Sequence, residues 1–185
     1  MHLDHDTRHV VGELEALLDT DNRRDGVDTL TSVEALSRFL DDHEISGARA
    51  GTEHELRAVR RLRSRLRAIF ESASAGDRDA VVAELNELIA EAGAVPYLVE
   101  HDGLPLHLHY TPFDAPVHHR IGAEMAIALA IIVRDGGIER LRVCEAPDCG
   151  GPFVDVSRNR SRRYCDVRCG NRQHVAASRQ RQAHH

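Results

Sequence analysis

Apolar residues recur at helical spacing along most of the chain. Val10, Val11, Leu14, Leu17 and Leu18 line one face of a helix predicted over residues 7–21, with Glu13, Glu15 and Asp19 off that face. The run DNRRDG at 21–26 ends it, Gly26 being free to turn left-handed. Ser32 is a good N-cap for a second helix, whose buried face is Val33, Leu36, Phe39 and Leu40. Thr52, with Glu55 three residues on, has the form of a capping box and opens a third helix. Leu56, Val59, Leu62, Leu66, Ile69 and Phe70 line that helix; Arg57, Arg60, Arg61, Arg63, Arg65 and Arg67 cover the rest, read as a solvated face paired with nearby acids, with a second nucleic-acid surface as the alternative. A fourth helix begins at Asp77, buries Ala80, Val81, Leu85, Leu88 and Ile89, and ends at Gly93.

The period then changes. Val95–Val99 and Leu104–Tyr110 flank Asp102-Gly103 and predict a β-hairpin. Leu104, Leu106, Leu108 and Tyr110 share one face; His107 and His109 share the other, read as solvated, as are His118-His119 and His184-His185. Pro112 to Arg134 is the longest apolar stretch, with Asp114 as its expected cap and Pro116 in its first turn. It is apolar nearly all round, as suits a helix central to a bundle or shared with a second subunit. Gly136-Gly137 stops it, and Ile138 to Val143 leads on with almost no linker.

These elements predict a mainly α fold: an N-terminal helical bundle with one β-hairpin over residues 1–137, then a small zinc ribbon-like finger over residues 138–185. Aromatic residues make up 4% of the chain and Trp is absent, so Leu, Val, Ile and Ala must fill the core. No apolar run is long and uncharged enough for a membrane span, and no signal peptide is seen, so a cytoplasmic protein is expected.

All four cysteines lie in the last quarter, as Cys144/Cys149 and Cys165/Cys169, with four and three residues inside the pairs and fifteen between them. Two close pairs suit a structural zinc site, because Zn²⁺ takes four tetrahedral ligands and a short loop can turn two thiolates onto one ion. Gly150, Gly151 and Gly170 are placed to let those loops turn. Two disulfides would suit an exported protein, and four thiolates also suit an iron–sulfur cluster; one Zn²⁺ held by the four thiolates is the reading carried forward.

Charge is divided along the chain. From Ile138 onward there are ten Arg and five acids; before it there are fourteen Arg and twenty-five acids. Balances of +5 and −11 lie behind the net charge of −6. A basic arm on an acidic body points to nucleic acid. No Lys occurs anywhere.

The segment FVDVSRNRSRRYC followed by CGNR at 169–172 resembles the CGNR zinc finger. Phe153, Asp155, Ser157-Arg158-Asn159 and Arg162-Arg163 carry the resemblance, and Tyr164 stands where Trp is expected. In that family the finger follows an N-terminal ABATE domain, and its members are regarded as bacterial transcription regulators linked to stress. The resemblance implies Cys144, Cys149, Cys165 and Cys169 as zinc ligands. It also implies an Arg-rich DNA-contacting segment with its following helix: Arg158, Asn159, Arg160, Arg162, Arg163, Arg168, Asn171, Arg172, Arg179 and Arg181. The family's Leu-Val-Asn-Thr reads Leu17-Leu18-Asp19-Thr20 here, and Asp19 is read as a cap or surface residue. Double-stranded DNA is the expected partner, with a small-molecule effector and a second copy (homodimer) as partners of the body. An RNA-binding module or a protein-interaction module are the alternatives. No nucleophile elbow, phosphate loop, HExxH or paired catalytic carboxylates appear, so no enzyme is expected.

Overall fold

The computed structural model describes residues 3–22, 24–100 and 106–183. Six helices run through them: α1 His5–Asp19, α2 Val33–Asp42, α3 Glu53–Ser74, α4 Arg78–Glu91, α5 Val117–Gly136 and α6 Val167–Ala183. Three short antiparallel ladders join them: β1 Asp21–Asn22 with β2 Val27–Asp28, β3 Tyr97–Val99 with β4 His107–His109, and β5 Leu141–Val143 with β6 Pro152–Val154. The fold is mainly α, as the periodicity predicts. The expected turn at Asp102-Gly103, Leu104 and the terminal His184-His185 lie outside the described residues.

The caps follow the sequence with two differences. Ser32 Oγ accepts from the Ala35 amide and Asp77 from the Ala80 amide. Thr52 Oγ1 accepts from the Glu55 amide at 3.2 Å, but the Glu55 carboxylate does not return to Thr52. It stays buried and accepts the Ala50 and Gly51 amides instead, each at 3.0 Å, so it fastens the loop before α3. Asp114 does not cap α5; Pro116 occupies the N-cap position with no side-chain hydrogen bond. Its carbonyl accepts the Arg120 amide as the first helical bond and also the His119 amide, one of the orphan donors.

The core is aliphatic. Leu14, Leu17 and Leu18 of α1 meet Leu62, Leu66, Ile69 and Phe70 of α3, Leu85 and Leu88 of α4, and Met125, Leu129 and Ile132 of α5. Burial of each such side chain contributes about 2 kcal/mol. Leu141 of β5 and Val154 of β6 belong to the same cluster. The first strands of the C-terminal segment are thus built onto the bundle, and β5 packs along α3.

The arginines of α3 depart most from expectation. Arg63 and Arg67 are buried, not solvated. Arg63 grips Asp28 through two parallel N–H···O bonds of 2.9 and 2.8 Å and also donates to Thr20 Oγ1. Arg67 donates to the Leu18 and Asp21 carbonyls at 2.7 and 2.8 Å. Arg65 pairs with Glu84 and Glu91 of α4. A guanidinium can fill such a place because its planar fork serves carbonyls and carboxylates alike. The paired strands Asp21–Asn22 and Val27–Asp28 are therefore bolted to α3, where the sequence suggests only a helix end.

The β3–β4 hairpin pairs Tyr97 with His109, Leu98 with Leu108 and Val99 with His107. Its exposure differs from expectation at the leucines and histidines, while Tyr110 is half-buried. Leu98, Leu106 and Leu108 are 63%, 62% and 46% exposed, while His107 and His109 are half-buried with Nε2 atoms 3.1 Å apart. His107 lies near enough to half-buried Glu124 of α5 to favour that carboxylate's charge slightly.

Glu124 and Glu13 of α1 share the α1–α5 interface. Burial raises the pKa of each to about 7, and for Glu124 the charge of Glu13 adds to the effect. A carboxyl whose folded pKa lies above its unfolded value supports folding fully only below the unfolded value. That support is lost as pH rises toward 7. Glu13→Gln combined with Glu124→Gln is expected to raise stability by on the order of 2 kcal/mol at pH 8 and by less than half of that at pH 5. Urea unfolding at the two pH values measures it; an equal gain at both would contradict the assignment.

Candidate metal centre

Two local structures bring the cysteines together. β5 ends at Val143, and Cys144 follows it with its amide on the Gly151 carbonyl at 2.8 Å. The chain turns at Ala146–Cys149, where the Cys149 amide meets the Ala146 carbonyl, and returns through Gly150, at φ +60°, into β6. Gly151 has a separate role. A Cβ there would come within 3.3 Å of both Cys149 Sγ and Cys165 Sγ, so the missing side chain leaves room for sulfur. Cys165 and Cys169 flank the start of α6. Asp166 holds that start, its carboxylate accepting the Cys169 amide at 2.6 Å and its carbonyl the Gly170 amide. Gly170 lies inside α6 and makes no turn, contrary to its sequence reading.

The four sulfur atoms lie within 4.8 Å of one another. Cys149 and Cys165 are 3.5 Å apart, and Cys165 and Cys169 3.8 Å. Sulfurs each about 2.3 Å from one central ion would sit about 3.8 Å apart, so the spacing fits a tetrahedral zinc site. None of the four is joined in a disulfide. Among the described residues no other group of three or more His, Cys, Asp or Glu side chains gathers its ligand atoms in this way.

The charge state points the same way. Burial and then the neighbouring thiols push Cys169 up to about 12 and Cys165 higher still. Burial also opposes ionisation of Cys144, but the Ala146 and Cys165 amides and the adjacent thiols outweigh it and lower its pKa. The sulfurs on their own therefore share little negative charge. A bound dication supplies the charge that lets all four act as thiolates.

A second set of residues holds the cluster in shape. Phe153 is 1% exposed and packs on the sulfurs with Tyr164. The Arg162 guanidinium stacks over Phe153 at 4.7 Å and donates to the Tyr164 and Cys165 carbonyls. Asp155 is fully buried and accepts the Ser157 and Arg162 amides at 2.9 and 3.0 Å. Burial opposes its charge, yet those hydrogen bonds and Arg142 hold its pKa below the usual carboxylate value. Arg140, also buried, donates to the Asp155 and Ser157 carbonyls. Phe153, Asp155, Ser157 and Arg162 are thus explained by packing and backbone satisfaction.

The other sequence-predicted residues divide. Arg158, Asn159, Asn171 and Arg179 are exposed. Arg160, Arg163 and Arg168 are exposed but paired, with Glu139, Glu145 and Asp166. Arg172 turns toward the cluster, with Nη2 3.3 Å from Cys169 Sγ. Arg181 is in α6, and its side chain lies outside the described set.

Sequence reasoning missed two joints between the helical body and the finger. Glu15 of α1 accepts the Val154 amide at 2.9 Å. Arg24, in the β1–β2 turn, reaches Cys169 Sγ. No periodicity or motif marks either residue. Between the two parts runs a small cleft of about 60 Å³, lined by Glu15, Asp19, Arg24, Arg67, Asp166 and Arg168 among others.

With zinc bound, a thiol reagent is expected to react slowly with the protein. After chelation it should titrate four thiols per chain, with one zinc released and the finger's tertiary structure lost. Equal reactivity before and after chelation would contradict a metal held by all four sulfurs.

The comparisons with known proteins agree with this geometry. The CGNR zinc finger profile matches residues 140–182. The ABATE profile, described as a putative stress-induced transcription regulator, matches residues 15–136, more than half of the chain. The chain matches no curated protein. With an ABATE body and four clustered cysteines under the finger profile, the chain belongs to the ABATE family and ends in a CGNR zinc finger able to hold one zinc ion.

Proposed function

We propose that the chain is a DNA-binding transcription regulator whose zinc finger supplies the DNA contacts. The observation that carries this reading is the charge of the finger segment, ten Arg against five acids, with much of it exposed around a fold pinned by four cysteines. The family's description as a transcription regulator supports the same role.

The geometry sorts the candidates. Arg162 is committed to Phe153 and to backbone carbonyls, and Arg172 to the cysteine cluster. They act by shaping the finger. Arg158 and Arg179 are exposed and available to phosphate. Arg160, Arg163 and Arg168 sit in exposed ion pairs, which contribute only about 0–1 kcal/mol each and can be exchanged for a phosphate. Asn159 and Asn171 are exposed and suit adenine edges.

Single-stranded RNA would need flat aromatic platforms. Phe153 is buried beneath Arg162, and Tyr164 is half-covered beneath Arg163, so the arrangement favours duplex DNA. In this reading residues 1–137 sense an effector or dimerise, which would place two fingers on a repeated site. The chain acts by binding, not by catalysis. No helix among the described residues is long and apolar enough to cross a membrane.

Fluorescence anisotropy with duplex DNA of mixed sequence tests the reading. The zinc-loaded protein should bind, and binding should weaken steeply between 50 and 200 mM salt, the ~10³-fold or greater loss seen when several phosphates are neutralised. Replacing Arg158, Arg160 and Arg168 together by Ala should lower affinity at least about tenfold and reduce the salt slope by about two to three. Failure of the loaded protein to bind at low salt would overturn the proposal and favour an acidic protein partner.

A further inference from the structure

Arg24 and Cys169 are 145 residues apart in sequence, yet Arg24 Nη1 lies 3.6 Å from Cys169 Sγ. The same guanidinium is clamped by Asp25, Nε to Oδ1 at 3.2 Å and Nη2 to Oδ2 at 3.1 Å. Its side chain is only 13% exposed. Cys169 is fully buried, so guanidinium groups stand where water would otherwise solvate its sulfur. Arg172 approaches that sulfur from α6 at 3.3 Å.

The position of Arg24 is set by the body. Asp28 is gripped by Arg63 and Arg60 of α3, and Asp21 offers its carbonyl to Arg67. Asn22 Oδ1 accepts the Asp25 amide at 3.2 Å, and Gly26, at φ +65°, closes the turn. The chain of support runs from α3 through β1–β2 to Arg24 and then to the sulfur. Charge gives the contact its purpose. Four thiolates around a dication leave a net charge of about −2, and groups that donate to ligand atoms steady such a centre. Arg24 and Arg172 bring N–H donors and positive charge to the sulfur, partly offset by their own partners Asp25 and Asp148.

We propose that Arg24 is an outer-sphere partner of the finger's metal centre, donating an N–H···S hydrogen bond to Cys169 and coupling that centre to the β1–β2 turn of the body. The proposal rests on the four-cysteine zinc site and is independent of what the finger binds. Coupling is reciprocal: if the body's contact favours metal retention, the metal favours the ordered turn to the same extent.

The test uses the full chain. Zinc affinity is measured by competition with a chromophoric chelator for the wild type, Arg24→Met, Arg24→Lys and the exposed control Arg134→Met. Arg24→Met should weaken zinc binding about 10- to 100-fold, the usual cost of losing such a partner. Arg24→Lys should lose less, because it keeps the charge without the fork, and the control should not change. Cobalt substitution adds a readout that a merely structural role would not move. Removing an N–H···S bond raises the energy of the sulfur electrons, so the thiolate-to-cobalt band of Arg24→Met should shift to longer wavelength. If Arg24→Met does not fold, the same comparison is made on Arg24→Lys. Zinc affinity within twofold of wild type and an unshifted cobalt band would overturn the proposal. Loss of DNA binding with both readouts unchanged would do so as well, since it would place Arg24 on the DNA side.

Discussion

Four sulfurs within 4.8 Å of one another set the terms for the C-terminal segment. Thiols packed so closely and buried resist ionisation, and Cys165 and Cys169 are both pushed well above the ordinary thiol range. A dication resolves the conflict, and the rest of the finger is arranged around that solution. Phe153 and Tyr164 are its only aromatic side chains, too few for an independent core. The segment borrows stability twice: from the metal and from the bundle, where Leu141 and Val154 join the main cluster.

Guanidinium groups are the second organising device. A chain without Lys places Arg wherever a positive charge is needed, and the fold puts many of them inside. Arg63, Arg67, Arg120 and Arg140 are each about 5% exposed or less. Arg120 alone donates to the Ser46, Ala48 and Ala115 carbonyls. Each fork satisfies several backbone acceptors that irregular loops would leave orphaned. A count of arginines therefore overstates the charge a ligand can meet. In the finger, Arg140 and Arg162 are held by backbone carbonyls, and Arg172 leans on Cys169 while staying exposed.

The helices, the hairpin's existence and the four ligands were legible because their signals are local. Helical period, cap residues and cysteine spacing all act over a few residues. The misread features depend on neighbours remote in sequence. The hairpin keeps Leu98, Leu106 and Leu108 exposed and His107 and His109 half-buried, and nothing between residues 95 and 110 encodes that. The arginines of α3 looked like a solvated stripe until Asp28 and the end of α1 were placed against them. Arg24 reads as one more turn residue; only the docking of the finger gives it a sulfur to approach. Asp155 and Arg162 carry the family resemblance, but their role in closing the finger's backbone emerges only from the hydrogen bonds they make.

The finger's structure depends on a closed, all-sulfur metal centre seated against the helical body. X-ray absorption at the zinc edge of the purified full-length protein measures the ligand set directly. Four sulfurs at about 2.3 Å with no nitrogen or oxygen neighbour are expected. A mixed shell, with imidazole or water in place of one or more sulfurs, would contradict the four-cysteine centre on which the finger's structure is argued to rest.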